Sequence, residues 1–469
     1  MSQQTTATRS HAWAIRIGSL LIPLAHAAGQ NVVTVLGLRF MTDSLAISAG
    51  AAGFIFSLVK IYDGFLDPAV GAWSDRISTP WGRRLPFLFI GGLAMPLGIA
   101  MLFGTPDFGS ILLAQAFVTL ALAIHASGYT LLTIPGFAMV VESSSNPHER
   151  TRLMAWRGYG NAIGALIGST VPAWLLSLTG PSRSGHLLMA SVVGAIVFGA
   201  TLLAVRLLRH APRTVPKVSH AAQRRGPIRA LLHQVALAWN NLPFRILAGA
   251  HVFVLFGTAI GSAALAYFTR VVLKVGDDVL GSYFMAATVA MVAAMPAWVW
   301  VSRRTGKKAS YMAAMAVFGL VQASWLASGP GESVVLVVLR GLIGGAAGSG
   351  MILCAYALLS DAVRYDYIQS GERREGAFAG FTTLFDKLSA AAALAAMGGF
   401  LGVMGYQSSS SGTAVEQTDA AILAVRLCES VIPALSMIAA IVIVSFYKLE
   451  ASELEALESS MNNNTDAEG

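Results

Sequence analysis

Residues 54–76 read Phe54-Ile-Phe-Ser-Leu-Val-Lys60-Ile-Tyr62-Asp63-Gly-Phe-Leu66-Asp67-Pro68-Ala-Val-Gly71-Ala-Trp-Ser-Asp75-Arg76, an apolar run interrupted by two acids four positions apart. On a helix that spacing puts both carboxylates on one face, about one turn from each other. An unpaired charge at mid-bilayer costs ~3 kcal/mol on insertion scales, so a membrane helix carrying two must offset them. A monovalent cation held between carboxylate oxygens and a neighbouring hydroxyl would do so, and so would a shared proton, because adjacent carboxylates resist joint ionisation. Either makes Asp63 and Asp67 a coupling site. The alternative is a static ion pair with arginines at the helix end, which suits Asp67 better than Asp63.

The rest of the chain has the composition such a helix needs. Of 469 residues 55% are hydrophobic and 12% charged, and the mean hydropathy is +0.64. A water-soluble domain could not cover that balance with polar surface. Apolar segments fall at 14–40, 45–72, 85–104, 109–141, 152–180, 186–208, 243–273, 278–301, 309–328, 333–360, 375–405 and 418–447. Each is about long enough to span a bilayer as a helix. The expectation is an all-α membrane protein with twelve transmembrane helices. Residues 10–210 form a first six-helix bundle, 211–242 a basic linker, 243–449 a second bundle, and 450–469 a polar tail to which no function is assigned.

Charge sets the expected orientation. Arg76, Arg83 and Arg84 follow segment 2, Arg150 and Arg152 segment 4, Arg303, Arg304, Lys307 and Lys308 segment 8, and Arg373 and Arg374 segment 10. These even-numbered exits share a side with the basic linker, while the odd-numbered exits carry Asp43, Asp107, Arg183, Lys274, Asp277, Asp278, Glu416 and Asp419. The positive-inside rule places both termini in the cytoplasm. It also accounts for the net charge of +8 without nucleic acid, because the cations sit in short loops. The start reads as a retained first helix and not a cleaved signal. Cys354 and Cys428 lie inside apolar segments and read as packing residues.

The halves echo each other. Gly71-Ala-Trp-Ser-Asp75-Arg76 with Gly82-Arg83-Arg84 has a degenerate counterpart at Ser302-Arg303-Arg304-Thr-Gly306-Lys307-Lys308. A six-plus-six duplication marks many carriers, with substrate bound between the halves near the midplane. Gly160, Gly164 and Gly168, and Gly341, Gly344, Gly345 and Gly348, have the small-residue spacing that lets helices approach closely.

Other polar residues interrupt the apolar segments. Lys387, beside Asp386 in segment 11, lies about 18 Å deep and Asp63 about 12 Å deep at the rise of an α-helix. Those depths allow Lys387 and the acidic pair to face one cavity, where cation occupancy would change the attraction between halves. Local neutralisation of Lys387 by Asp386 is the plainer alternative. His26 with Gln30 (Asn31 beside them), His125 with Tyr129, and Arg157 with Asn161 form i, i+4 pairs in the first half and are candidates for a polar binding wall. His251, Gln322 and Arg340 stand alone and read as interhelical hydrogen bonders. Asp75, Arg83, Arg84, Asp361, Arg364, Asp366 and Arg373 sit at the cytoplasmic membrane edge, where opposite charges would latch the halves in one state and part in the other. An enzyme is not indicated, because the sequence shows no metal-ligand cluster, nucleophile–base pair or phosphate loop.

These residues resemble the glycoside–pentoside–hexuronide cation symporters, the melibiose-permease branch of the major facilitator superfamily. The matching stretches are Ile61-Tyr62-Asp63 through Asp67-Pro68, Gly71, Trp81-Gly82-Arg83-Arg84-Leu-Pro86, Asp361 through Asp366, Gly371-Glu-Arg-Arg-Glu375-Gly376, Lys387 and Gly405-Tyr406. The resemblance implies the major facilitator fold and alternating access. It puts the cation-binding acids on Asp63 and Asp67, a hydroxyl ligand on Thr130, the segment 11 lysine on Lys387 and a sugar-contacting arginine on Arg157. Leu66, Thr133, Ala27 and Phe137 stand where the melibiose carrier has, in turn, a polar cation ligand, a sugar-binding acid, a segment 1 acid and a tryptophan. The expected function is symport of a small polar solute, a sugar, glycoside or uronide, driven by Na+ or H+, in a monomer of the bacterial plasma membrane that needs no cofactor. Substrate contacts are assigned to Arg157, His26, Gln30, Asn31, His125, Tyr129, Thr133 and Asn161. A carrier of amphiphiles such as lysolipids, or a sensor with a transporter fold, is the alternative.

Overall fold

A computed structural model describes residues 2–77, 79–143, 147–209, 241–370, 375–410 and 415–449. Arg373, nearly all of the expected linker and the tail lie outside the described residues. The chain folds into α1 (Ser2–Ser44), α2 (Ala49–Arg76), α3 (Leu85–Phe103), α4 (Ile111–Glu142), α5 (Pro147–Thr179) and α6 (Arg183–Leu208), then α7 (Leu242–Val271), α8 (Asp277–Thr305), α9 (Lys307–Ser324), α10 (Val334–Ser370), α11 (Glu375–Val403), α12 (Asp419–Glu429) and α13 (Val431–Ser445). Among the described residues twelve helical spans are long and apolar enough to cross a membrane, α12 and α13 together making the last. Side-chain caps start several of them. Ser48, Ser182, Asn241 and Thr418 accept from the backbone N–H three residues on, satisfying donors that the first turn leaves open.

Two departures from the expected spans matter. First, α10 runs on to Ser370, so Asp361, Arg364 and Asp366 stand on a helix and not in a loop. Second, the last crossing breaks at Ser430, which caps both α12 and α13.

Helices α1, α3, α4, α5 and α6 pack mainly on one another, as do α7 to α10 and α13, while α2–α11, α5–α8 and α1–α7 join the two groups. The glycine stripe of α5 explains the closest of the contacts within a half. A Cβ on Gly160, Gly164 or Gly168 would overlap the backbone carbonyls of Leu20, Leu24 and Ala28 on α1. In lipid, where apolar side chains gain nothing by leaving solvent, such backbone approach is a main source of helix association. Gly341 and Gly345 do the same for α10 against α8, whereas Gly348 has open space beside it.

The halves are pinned together at the face where odd-numbered spans end. Arg39 of α1, 1% exposed, holds Asp277 of α8 through two hydrogen bonds of 2.6 and 3.0 Å. Asp43 pairs with Arg270 of α7 at 3.0 Å and accepts from the Tyr406 hydroxyl at 3.0 Å. Burial, with the Asp43 carboxylate beside it, pushes the Tyr406 phenol far above its ordinary range, so it remains a donor there. Backbone bonds Ala46 N to Ser409 O and Ser409 N to Thr42 O, both 2.8 Å, complete the seam.

Candidate functional site

Asp63 and Asp67 project from α2 as the spacing requires and are 1% and 9% exposed. The Thr130 hydroxyl on α4 lies 2.8 Å from Asp63 Oδ1 and 2.8 Å from Asp67 Oδ1. A hydroxyl has one proton, so it can donate to only one of them at a time. The other contact calls for a proton on that carboxyl or a cation near the oxygens.

Lys387 supplies positive charge from the other half. Its Nζ is 3.0 Å from Asp63 Oδ2, 2.6 Å from Asp67 Oδ2 and 2.9 Å from the Asp63 backbone carbonyl. The three donors of the ammonium thus meet three oxygens. Pro68 removes the helix hydrogen bond that Gly64 O would otherwise accept, which loosens the turn where the Asp63 carbonyl turns to the lysine. The result is an all-oxygen cage of two carboxylates, a hydroxyl and a carbonyl, closed by a cation on a flexible stem. Neither sequence alternative is seen: Asp67 is paired with Lys387 and not with arginines, and Asp386 bonds His251 of α7 at 2.8 Å.

The expected binding wall divides. Gln30 Nε2 donates to Thr34, Asn31 Nδ2 to the Ala27 carbonyl, and the Thr133 hydroxyl to the Tyr129 carbonyl, all one turn away on the same helix. His125, 3% exposed, places Nε2 3.1 Å from the Gly29 carbonyl. These four are hydrogen-bonded to helix backbone or to a neighbour on the same helix, and His125 staples α4 to α1. His26 and Arg157 remain available. His26 stands edge-on to Tyr129 with ring centroids 5.5 Å apart, and Arg157 lies over the Phe137 ring at 5.2 Å. His26 Nε2 and Arg157 Nη1 are buried without a hydrogen-bond partner among the described residues. Asn161, one turn from Arg157, lines a cavity of about 640 Å³ whose other lining residues belong to the second half.

Asp75, Arg83 and Arg84 pair within the first half, and Asp361 within the second. Arg84 binds Asp75 at 2.6 Å and Glu142 at 2.9 Å, and Arg83 binds Glu142 at 3.2 Å. In the second half Lys307 binds Asp361 at 2.6 Å. A basic residue after the second span of each half therefore holds an acid at the end of the fourth, which is the sequence echo realised in space. Arg364 and Asp366 stand on the same extension of α10 as Asp361.

Sequence reading passed over Arg39, Asp277, Arg270 and Tyr406 as an interhalf seam, and Glu429 altogether. Arg39 and Glu429 each carried the signal that flagged Asp63, an ionisable residue inside an apolar segment. His251 and Arg340, read as isolated, have acidic partners in Asp386 and Glu332.

Twelve helical spans in two bundles, with a buried charge triad across their interface, define a multi-pass membrane transporter of the major facilitator type. The chain belongs to the family described as MFS/sugar transport protein, whose pattern matches residues 18–451. It is 28% identical to the putative sulfoquinovose importer of Salmonella typhimurium, covering 90% of this chain and 87% of that one. It is 23% identical to the isoprimeverose transporter of Lactiplantibacillus pentosus, covering 95% and 90%. Among solved structures, the nucleoside transporter NupG (D323A mutant) superposes with a TM-score of 0.67 at 14% identity, over 93% of this chain and all of that one. The fold is shared at that distance.

Proposed function

We propose that the chain is a cation-coupled symporter of a small polyhydroxylated solute bearing an acidic group. One observation carries the coupling: the Lys387 ammonium sits where a monovalent cation would, against both carboxylates of α2. A coupling ion entering the cage competes with Lys387, and release of the lysine loosens α11 from α2. Ion occupancy and the relation of the two halves are then linked, as symport requires. With the even-numbered exits in the cytoplasm, the seam at the odd face makes this an inward-facing arrangement.

The acidic group follows from Arg157. Its guanidinium pairs with no acid among the described residues and has a buried, unpartnered nitrogen one helical turn from Asn161, which lines the cavity. A buried guanidinium without a carboxylate is a ready partner for a sulfonate or carboxylate. The sulfoquinovose importer among the relatives fits that chemistry, and a neutral disaccharide would leave the arginine unanswered.

The test is uptake of sulfoquinovose and glucuronate into proteoliposomes under imposed Na+ or H+ gradients. The wild type is expected to accumulate an anionic sugar with one of the two gradients. D63N and D67N are expected to abolish accumulation, at least a hundredfold, while leaving solute binding measurable. Accumulation unchanged in both variants would remove the coupling role of the pair.

A further inference from the structure

Two buried polar side chains stand beside each other in the second half, and each keeps one oxygen without a hydrogen-bond partner among the described residues. Gln322 on α9 is 2% exposed, and Glu429, the last residue of α12, is 1% exposed. Gln322 Nε2 donates to the Glu429 backbone carbonyl at 3.1 Å, which fixes the amide plane. Gln322 Oε1 and Glu429 Oε2 are left without hydrogen-bond partners among the described residues. The break at Ser430 sets Glu429 between the C-terminus of α12 and the N-terminus of α13. Gly261 of α7 leaves room for the amide, since a Cβ there would come 2.8 Å from Gln322 Nε2.

Both side chains line the cavity that Asn161 of the first half also lines. Buried polar groups in native proteins find partners, and the hydroxyls of a solute filling the cavity would supply them here. We propose that Gln322 and Glu429 form a hydroxyl-reading subsite, so that a solute in this cavity presents O–H groups to the second half. This rests on the reading of the cavity as the solute's path. It makes the second bundle a participant in recognition, where the sequence had placed every solute contact in the first.

Equilibrium binding to the purified chain in lipid nanodiscs, without any gradient, tests it. The probes are sulfoquinovose and cyclohexylmethanesulfonate, matched in ring size and sulfonate but differing in hydroxyls. The wild type is expected to prefer sulfoquinovose. E429Q and Q322A are expected to weaken sulfoquinovose at least tenfold while leaving cyclohexylmethanesulfonate within twofold. G261A, which crowds the amide and removes no polar group, is expected to reproduce the loss in a chain of unchanged thermal stability. A wild type with no preference, equal weakening of both probes, or weakening of neither overturns the subsite, and bound water is then the donor. Symport is read separately: a solute bound with this preference but never accumulated overturns the transport reading alone.

Discussion

At the scale of single residues the decisive group is Lys387, because one ammonium faces two carboxylates and a carbonyl inside the membrane span. Removing one partner of such a buried cluster leaves uncompensated charge and costs about 3–5 kcal/mol. The variant K387Q is therefore expected to unfold at lower temperature than the wild type. It is also expected to recover part of the loss when Na+ replaces choline at equal ionic strength, or when pH falls if the ion is H+, since a ligand of the folded state alone stabilises it by mass action. Wild type, with its own ammonium in the cage, should respond less to either. Melting curves in detergent across both series decide this, and a K387Q chain indifferent to both would count against the cage as an ion site. The acids and the lysine were legible in the sequence because charge inside an apolar run is conspicuous. Thr130 was not, since a lone hydroxyl in a helix is ordinary, and only the family resemblance picked it out.

At the scale of elements, α11 is tied to both halves by neighbouring residues that point about 100° apart on the helix. Lys387 reaches α2, and Asp386 reaches His251 on α7. Nearer the odd face the same helix touches α2 backbone to backbone, where a Cβ on Gly398 would overlap the Ala49 carbonyl. The substitution G398A is expected to wedge α2 from α11 and favour opening of that face. Spin labels on S182C and S333C, in the loops ending the fifth and ninth spans, should then show a longer distance population than in the wild type. An unchanged distribution would mean that the contact does not hold the face shut. Most of the twelve spans were readable from hydropathy to within a few residues, but the run of α10 past 360 to Ser370 and the break at Ser430 were not. The last segment reads as one run, and Pro433, which removes the helix hydrogen bond that the Glu429 carbonyl would accept, is the signal passed over.

For the whole molecule, the conformation is set by which face holds the interhalf charges. Arg39–Asp277 and Asp43–Arg270 cross between halves, whereas Arg84–Glu142 and Lys307–Asp361 stay within them. The variant D277N should strand the buried Arg39 guanidinium and shift the population toward a form open at the odd face. The same S182C–S333C distances, together with faster alkylation of a cysteine introduced at Ile47, would register the shift. Retention of the wild-type distribution would show that the backbone bonds of Ala46 and Ser409 suffice.

Local composition was enough to establish the membrane class, the twelve spans, the division into two halves and the presence of charges needing partners, because lipid imposes length and polarity segment by segment. Which charge meets which is a different matter. Lys387 lies 320 or more residues from the acids it binds, and Arg39 lies 238 from Asp277. Partners so far apart are chosen by how the bundles dock. Only the tertiary structure decided that Gln30 and Asn31 serve their own helix while His125 ties α4 to α1, that the halves are shut at one face, and that the second half holds buried oxygens without partners among the described residues.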